Sequence, residues 1–404
     1  MKQDLQELFN ISGFKAVVSA RFISNLGNGL SPIALAYGVL SLPGSTGRDL
    51  SLVMVARFLP MVSLMLFGGV LGDRFKRNRL VGGADVIGSF FVGAGALSFI
   101  FGFASVPLLC VMGALFGVLN AIWWPAMSGV LPEILPKELL QRGNAIVSLV
   151  SNFGFVFGAL LGGTVVTFFG SGWALFIDAL SFLVAGILIW NIDLPSLRSE
   201  KKNSMLHDLH VGWKEFTSRS WVVAVVIGFT FINFCFEATF AVLGPLTYKA
   251  TGHGPRDWSF NLSALTIGMI VGGVISMKMN FRRPLAIGMV VIAISSSWSF
   301  AIAAGLSLPL VLVTAFITGI AFEIFSVAWT TSMQKNIPKE SYSRVVAYDA
   351  LGSFALAPIG IAIAGPIAEV FGTSPTLYFC GALTLLAALI PLSIKSVRKL
   401  TYAS

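Results

Sequence analysis

GVLNAIWWPAMSGVLPEILPKELLQRGNAIVSLVSNFGFVFGALLGG (residues 117–163) and GIAFEIFSVAWTTSMQKNIPKESYSRVVAYDALGSFALAPIGIAIAG (residues 319–365) align without a gap at a constant offset of 202, half the chain. Twelve of the 47 positions are identical, among them the Pro-Lys-Glu run at 136–138 and 338–340 and the pair Arg142 and Arg344. Apolar composition alone could match Leu, Ala and Gly, but not a polar loop in register. Each stretch is an apolar run, a short polar loop and a second apolar run, so an internal duplication of membrane-length segments is the first inference.

The rest of the chain agrees. Its 404 residues are 56% hydrophobic and 11% charged, with a mean hydropathy of +0.85. Soluble domains carry about 25% charged residues, so a water-soluble enzyme is disfavoured. A bilayer crossing needs about 20 apolar residues. Apolar runs broken by charge, Pro and Gly give twelve spans near 14–41, 50–72, 80–102, 106–129, 144–169, 172–192, 221–247, 258–281, 284–305, 308–332, 344–371 and 373–394. The predicted fold is an all-α membrane protein of twelve transmembrane helices in two pseudo-symmetric six-helix halves. Its parts are an N-terminal half 1–192, a central loop 193–220 and a C-terminal half 221–404. Within the loop, Leu206, Leu209, Trp213 and Phe216 follow helical spacing and predict an amphipathic helix.

The net charge of +9 does not point to nucleic acid, because the bases sit in short loops rather than on one soluble face. Of the 27 Lys and Arg, 22 fall in one set of loops and the termini, three (Arg48, Lys249 and Arg256) in the opposite set, and Arg21 and Arg57 within spans. That bias predicts that both termini are cytoplasmic. Cys110, Cys235 and Cys380 lie in apolar runs and form no close pair, so neither a disulfide framework nor a metal site is expected. His207 and His210 share a helical face without a third ligand. The polar N-terminus has no small-residue cleavage site and does not read as a signal peptide.

After the second span comes Gly69-Val70-Leu71-Gly72-Asp73-Arg74-Phe75-Lys76-Arg77-Asn78. This segment resembles the motif G-x-L-A-D-R-x-G-R-K of the major facilitator superfamily, with Lys76 for the usual glycine and Gly72 for the usual alanine. The D-R-F-x-R form and the central-loop text DLHVGWKEFTSRSW are similar to the macrolide and enterobactin-type exporter branch. Gly154, Gly158, Ala159, Gly162 and Gly163 resemble the antiporter motif G-x-x-x-G-P-x-x-G-G, with Ala159 in the proline position. The resemblance covers essentially the whole chain and implies a drug:proton antiporter working by alternating access. It also implies that Gly69, Asp73, Arg74 and Arg77 form a cytoplasmic latch, with Asp349 as a partner. Simple positive-inside anchoring is the plainer reading of those bases, and close helix packing the plainer reading of the glycines.

A charge at a helix centre costs about 2.5–3.5 kcal/mol on insertion scales, so intramembrane ionisable residues are functional candidates. They are Arg21, Arg57, Asp85, Asp178, Glu237, Glu323 and Asp349. Asp85 and Asp349 lie near the cytoplasmic ends and are expected in the latch network. Glu323 and Glu237 are the deepest. Desolvation favours the neutral form of a carboxyl, so a carboxylate opened alternately to each side can carry a proton. Asp178 is a third candidate. The structural alternative is a fixed pair with Arg57 or Arg21. Trp123, Trp124, Phe234 and Trp329 are candidates to line a cavity for flat or amphiphilic cargo, although packing or lipid contact is the commoner fate of a single ring.

The sequence therefore predicts a secondary exporter exchanging protons for a hydrophobic or amphiphilic compound such as a drug, macrolide-like compound or siderophore. An importer or facilitator of a small polar metabolite is the alternative. No G-x-x-x-x-G-K-[ST] loop is present to use ATP, and H-E-x-x-H and G-x-S-x-G are absent, so an enzyme is not expected. No cofactor, metal or nucleic-acid partner is expected. The partners are the cargo, protons and the bilayer, for a monomer in a bacterial inner membrane.

Overall fold

The computed structural model describes residues 7–72, 75–136, 138–194, 212–279 and 282–401. Among them every regular element is helical. In chain order the long helices are α1 Ser12–Ser41, α2 Gly47–Gly72, α3 Arg77–Ile100, α4 Val106–Ser128, α5 Leu140–Phe169 and α6 Ser171–Trp190. The second set is α7 Ser220–Ala250, α8 Pro255–Lys278, α9 Pro284–Ala303, α10 Leu308–Asn336, α11 (Lys339–Phe354 with Ala357–Phe371) and α12 Thr373–Ser393. Ten of these are long and apolar enough to cross a membrane, and α1 and α2, at 30 and 26 residues, have the length. The chain is a multi-pass integral membrane protein.

Two compact units divide the molecule: Met1–Glu200 with Thr251–Ser263, and Lys201–Ala250 with Ala264–Ser404. The turns between α5 and α6 and between α11 and α12 are built alike. Gly170 and Gly372, 202 residues apart, hold φ of +86° and +91°, where a side chain is disfavoured. Each then serves as the N-cap of the next helix.

Each unit also has its own apolar plug near the Lys- and Arg-rich loops. In the first it is formed by Leu8, Phe14, Val17, Val81, Val130 and Ile189, and in the second by Trp221, Val222, Leu285, Met289, Phe325 and Val397.

Three helices depart from regularity, each for a local reason. α7 passes through a π-helical turn at Thr239–Leu243, just before Gly244-Pro245. Pro245 has no N–H to offer the preceding turn, and a wider turn accommodates the missing bond. α9 breaks at Ile294–Ser295, where the hydroxyls of Ser295 and Ser296 donate to the carbonyls of Ile292 and Ala293. α11 breaks at Ala355–Leu356, just ahead of Pro358, whose ring cannot sit against the carbonyl four residues earlier. In the central loop, Trp213 and Phe216 lie on a helix over 212–217, whereas Leu206, Leu209, His207 and His210 fall outside the described residues.

Candidate functional site

The deep carboxylates of the C-terminal half lie on α7 and α10. Glu323 runs along the Gly272-Gly273 pair of α8: a methyl group at Gly272 would come within 3.0 Å of its Cβ, and one at Gly273 within 3.7 Å of its Cγ. Small residues on α8 thus make the groove that admits this acid. Glu237 sits one residue before Ala238 and the π-helical turn. Irregular turns of this kind are frequent at functional sites. Both acids are partly buried, and among the described residues neither carboxylate makes an ion pair or hydrogen bond. Phe236 packs between Phe322 at 4.8 Å and Trp298 at 5.8 Å, tying α7 to α9 and α10 at this depth.

Nearer the basic loops, Asp349 is tied into the C-terminal half itself. Trp329 Nε1 donates to its Oδ2 at 2.9 Å and Ser353 Oγ to its Oδ1 at 3.1 Å. Asn233 of α7 donates to the Ser353 carbonyl at 2.9 Å, and Thr230 to that of Gly352 at 2.8 Å. Trp329 stacks on Phe325 and meets Trp221 edge-on, and Phe325 stacks on Phe229 at 4.2 Å. Trp213 and Phe216 of the central-loop helix close on Tyr348, the residue before Asp349. The polar end of Trp329, a cavity candidate, is therefore committed to a helix-to-helix bond. The sequence offered no signal for this pairing, because its partners sit on different helices 20 residues apart.

In the N-terminal half the charges form two buried groups. Arg57 of α2 donates to Ser31 Oγ of α1 at 3.1 Å and lies over the Phe116 ring of α4 at 4.6 Å. A small cavity of about 40 Å³, with Arg57, Ser31 and Phe116 in its wall, adjoins it. That is room for a water molecule. Asp178 of α6 is the acid within electrostatic reach of Arg57. It is fully buried with the Ser31 hydroxyl beside it, and neither carboxylate oxygen has a hydrogen-bond partner of full geometry. Its Oδ1 lies against Gly27 of α1, a position with no room for a Cβ.

In the second group Asp85, expected with the latch, is buried with Arg21 as its opposite charge and Trp123 beside it, and the Arg21 guanidinium lies over the Trp123 ring at 5.0 Å. Its place on the face of α3 that packs on Gly186 of α6 puts it inside the half rather than at the loop. Trp124, by contrast, is 58% exposed. A correction concerns the thiols: Cys235 of α7 and Cys380 of α12 meet in the fold, with Thr384 beside them, and remain free.

Of the latch motif, Gly69 lies in the last turns of α2, and Asp73 and Arg74 fall outside the described residues. Arg77, the first residue of α3, pairs with Glu133 at 3.1 Å beyond the end of α4, its guanidinium seated on Gly129. Arg79 covers Trp190 at 4.4 Å, and Asn78 donates to the carbonyls of Trp190 and Ile192 at 3.1 and 2.7 Å. These bonds fasten the start of α3 to the ends of α4 and α6. Burial pushes the Glu133 carboxyl above its usual range, more than the Arg77 guanidinium draws it down. A raised folded-state value means the anion is penalised on folding, so wild-type stability is lost as pH rises through it. Glu133→Gln is expected to gain thermal stability over wild type as pH goes from 5 to 8 in detergent. A growing loss would show that Arg77 outweighs burial.

The glycine run of α5 rides directly on α1. A Cβ at Gly154 would come within 2.6 Å of the Phe22 carbonyl oxygen, one at Gly162 within 2.9 Å of the Leu30 Cα, and Gly158 abuts the Leu26 carbonyl. Gly163 follows on the same helix, and Ala159, in the proline position, is fully buried. The second half repeats the device, Gly360 of α11 against the Phe234 carbonyl of α7. Gly117 and Gly319, also 202 apart, abut the carbonyls of Arg57 on α2 and Leu265 on α8.

A bundle of spanning helices in duplicated sets, with acids and arginines buried at depth, is the architecture of membrane transporters. The chain belongs to the Major Facilitator Superfamily, whose model matches residues 17–347 and 258–399. It is 24% identical to the multidrug efflux pump Tap of Mycolicibacterium fortuitum over 96% of this chain and 97% of that one. It is 21% identical to macrolide efflux protein A of Streptococcus pyogenes over the same shares. Among solved structures it is similar to a mutant of the nucleoside transporter NupG (TM-score 0.77, 10% identity, 94% of this chain and 99% of that one). It is also similar to an inward-facing, unoccupied bacterial homolog of the human lysosomal transporter Spinster (TM-score 0.66, 15% identity, 94% and 93%). At these identities the structures speak for the fold, and these two relatives by sequence are drug exporters.

Proposed function

We propose that this chain is a secondary exporter that exchanges protons for hydrophobic or amphiphilic small molecules, with Glu323 and Glu237 as the proton-binding groups and Asp178 as a third. The observation that carries the reading is the pair of unpartnered carboxylates on α7 and α10 at mid-span depth. A lone acid in lipid is costly unless its proton is part of the work. The names of the relatives, a multidrug pump and a macrolide efflux protein, support export of such cargo. The bias of Lys and Arg supports cytoplasmic termini in a bacterial inner membrane. On that side Gly69, Asp73, Arg74 and Arg77 act as the latch between conformations. Alternating access by two six-helix halves moves the cargo as a monomer, without cofactor or ATP.

The test is proton release from energised everted vesicles on adding a panel of amphiphilic antibiotics, with wild type set against Glu237→Gln/Glu323→Gln. A compound that collapses the gradient with wild type, and not with the double variant, is the expected outcome. Full proton-driven transport by the double variant would remove both acids from the mechanism.

A further inference from the structure

Within the C-terminal half, α7, α11 and α12 line a half-open cavity of about 340 Å³. Helix interiors pack to crystal density and leave few voids larger than a water, whereas ligand pockets begin at roughly 300 Å³. The void has a structural cause. Its α7 wall runs from Phe234 through Ala238 to Leu243, so the π-helical turn at Thr239–Leu243 lies in that wall and widens the helix there. Gly360 against the Phe234 carbonyl brings α11 onto α7 at one end. Ala364 and Ile367 of α11 leave the middle unfilled.

The chemistry of the wall is apolar throughout. No ionisable carboxyl or base contributes to it. Thr376 spends its hydroxyl on the Gly372 carbonyl at 2.7 Å, and Cys380 lies beside Cys235. A trapped water needs two to four polar partners, which this wall does not offer. The rim carries Phe371 and Phe379, 69% and 60% exposed. The cavity thus opens to the helix surface, in the half of the helices near the α11–α12 turn.

We propose that this cavity is a lateral binding site for uncharged lipophilic cargo drawn from or released to the bilayer. The assignment rests on the exporter reading above. What separates cargo from an ordinary acyl chain is position: the wall includes Ala238, the neighbour of Glu237, so an occupant bears on the segment that carries a proton-binding acid.

The test uses benzophenone, an uncharged photoreactive lipophile, with the full chain in phosphatidylcholine proteoliposomes and without a proton gradient. Inserted label is mapped by mass spectrometry. Label should concentrate at 234–243 and 363–380, and an exported compound should displace it. Ala364→Leu, which fills the cavity, should lower labelling there about tenfold, one decade of affinity, with labelling elsewhere unchanged. Ile367→Trp fills it from a partly exposed position and serves if Ala364→Leu fails to fold. Uniform labelling of the lipid-facing surface, or indifference to both variants, would overturn the site. Labelling that no exported compound displaces would make it an acyl-chain pocket and overturn the cargo assignment. Because occupancy is read without a gradient, it stands or falls apart from proton coupling, which the vesicle assay tests alone.

Discussion

Arg57→Leu should be among the most damaging single changes in the N-terminal half, and Arg57→Leu/Asp178→Asn should restore much of the loss. Asp178 is fully buried, with Arg57 as the opposite charge in its reach and the Ser31 hydroxyl beside it. The guanidinium itself is held by Ser31 and by the Phe116 ring. Removing one member of a buried pair leaves an uncompensated charge and costs about 3–5 kcal/mol, while replacing both by neutral groups of similar size is often close to neutral. Asn is isosteric with Asp and does not press on Gly27, where there is no room to spare. Thermal midpoints in detergent should therefore rank wild type and the double variant together, well above Arg57→Leu. If the double variant falls as far as the single one, the arginine matters through its contacts with Ser31 and Phe116 and not as a counter-charge. Measuring efflux on the rescued double variant then asks whether Asp178 carries a proton, independently of whether it supports folding.

The architecture was legible because the repeat is carried by residues whose roles are geometric. Gly117 and Gly319, and Gly158 and Gly360, recur at the offset of 202, and each sits where a neighbouring backbone carbonyl leaves no space for a side chain. The depth of Glu237 and Glu323 was legible from hydropathy alone, since an acid stands out in an apolar run. Contacts between helices were not. Trp329 with Asp349, Arg21 with Asp85, and Cys235 with Cys380 depend on which faces meet, and apolar periodicity is weak when lipid and protein both accept the same side chains. The π-helical turn of α7 was hidden for a related reason. An extra residue in one turn leaves the hydropathy of the run unchanged, and Pro245 marks only where the strain falls. Position along the helix could not say which neighbours Asp85 meets, because that depends on its Cβ packing on Gly186 of α6 and its carboxylate lying near Arg21 and Trp123.

Gly158→Val and Gly360→Val should each abolish the folded protein, an effect larger than any charge change in the same helices. Gly158 meets the Leu26 carbonyl of α1 and Gly360 the Phe234 carbonyl of α7, so a side chain at either position strikes backbone, which cannot turn aside as a flexible side chain can. Overpacking a core that can adjust costs about 1–3 kcal/mol, and here the only adjustment is to push the paired helices apart along their contact. Gly93→Ala is the control, since a methyl there meets only the Ala179 Cβ at an ordinary 3.7 Å. The measurement is the monodisperse yield by size exclusion, followed by the thermal midpoint of whatever folds. Loss at both positions with Gly93→Ala unaffected would show that the glycine motif is first a packing device shared by the two halves, on which any hinge role in exchange is built. A folded Gly158→Val protein with transport alone abolished would reverse that order and make Gly158 a moving contact, opened when α5 slides on α1.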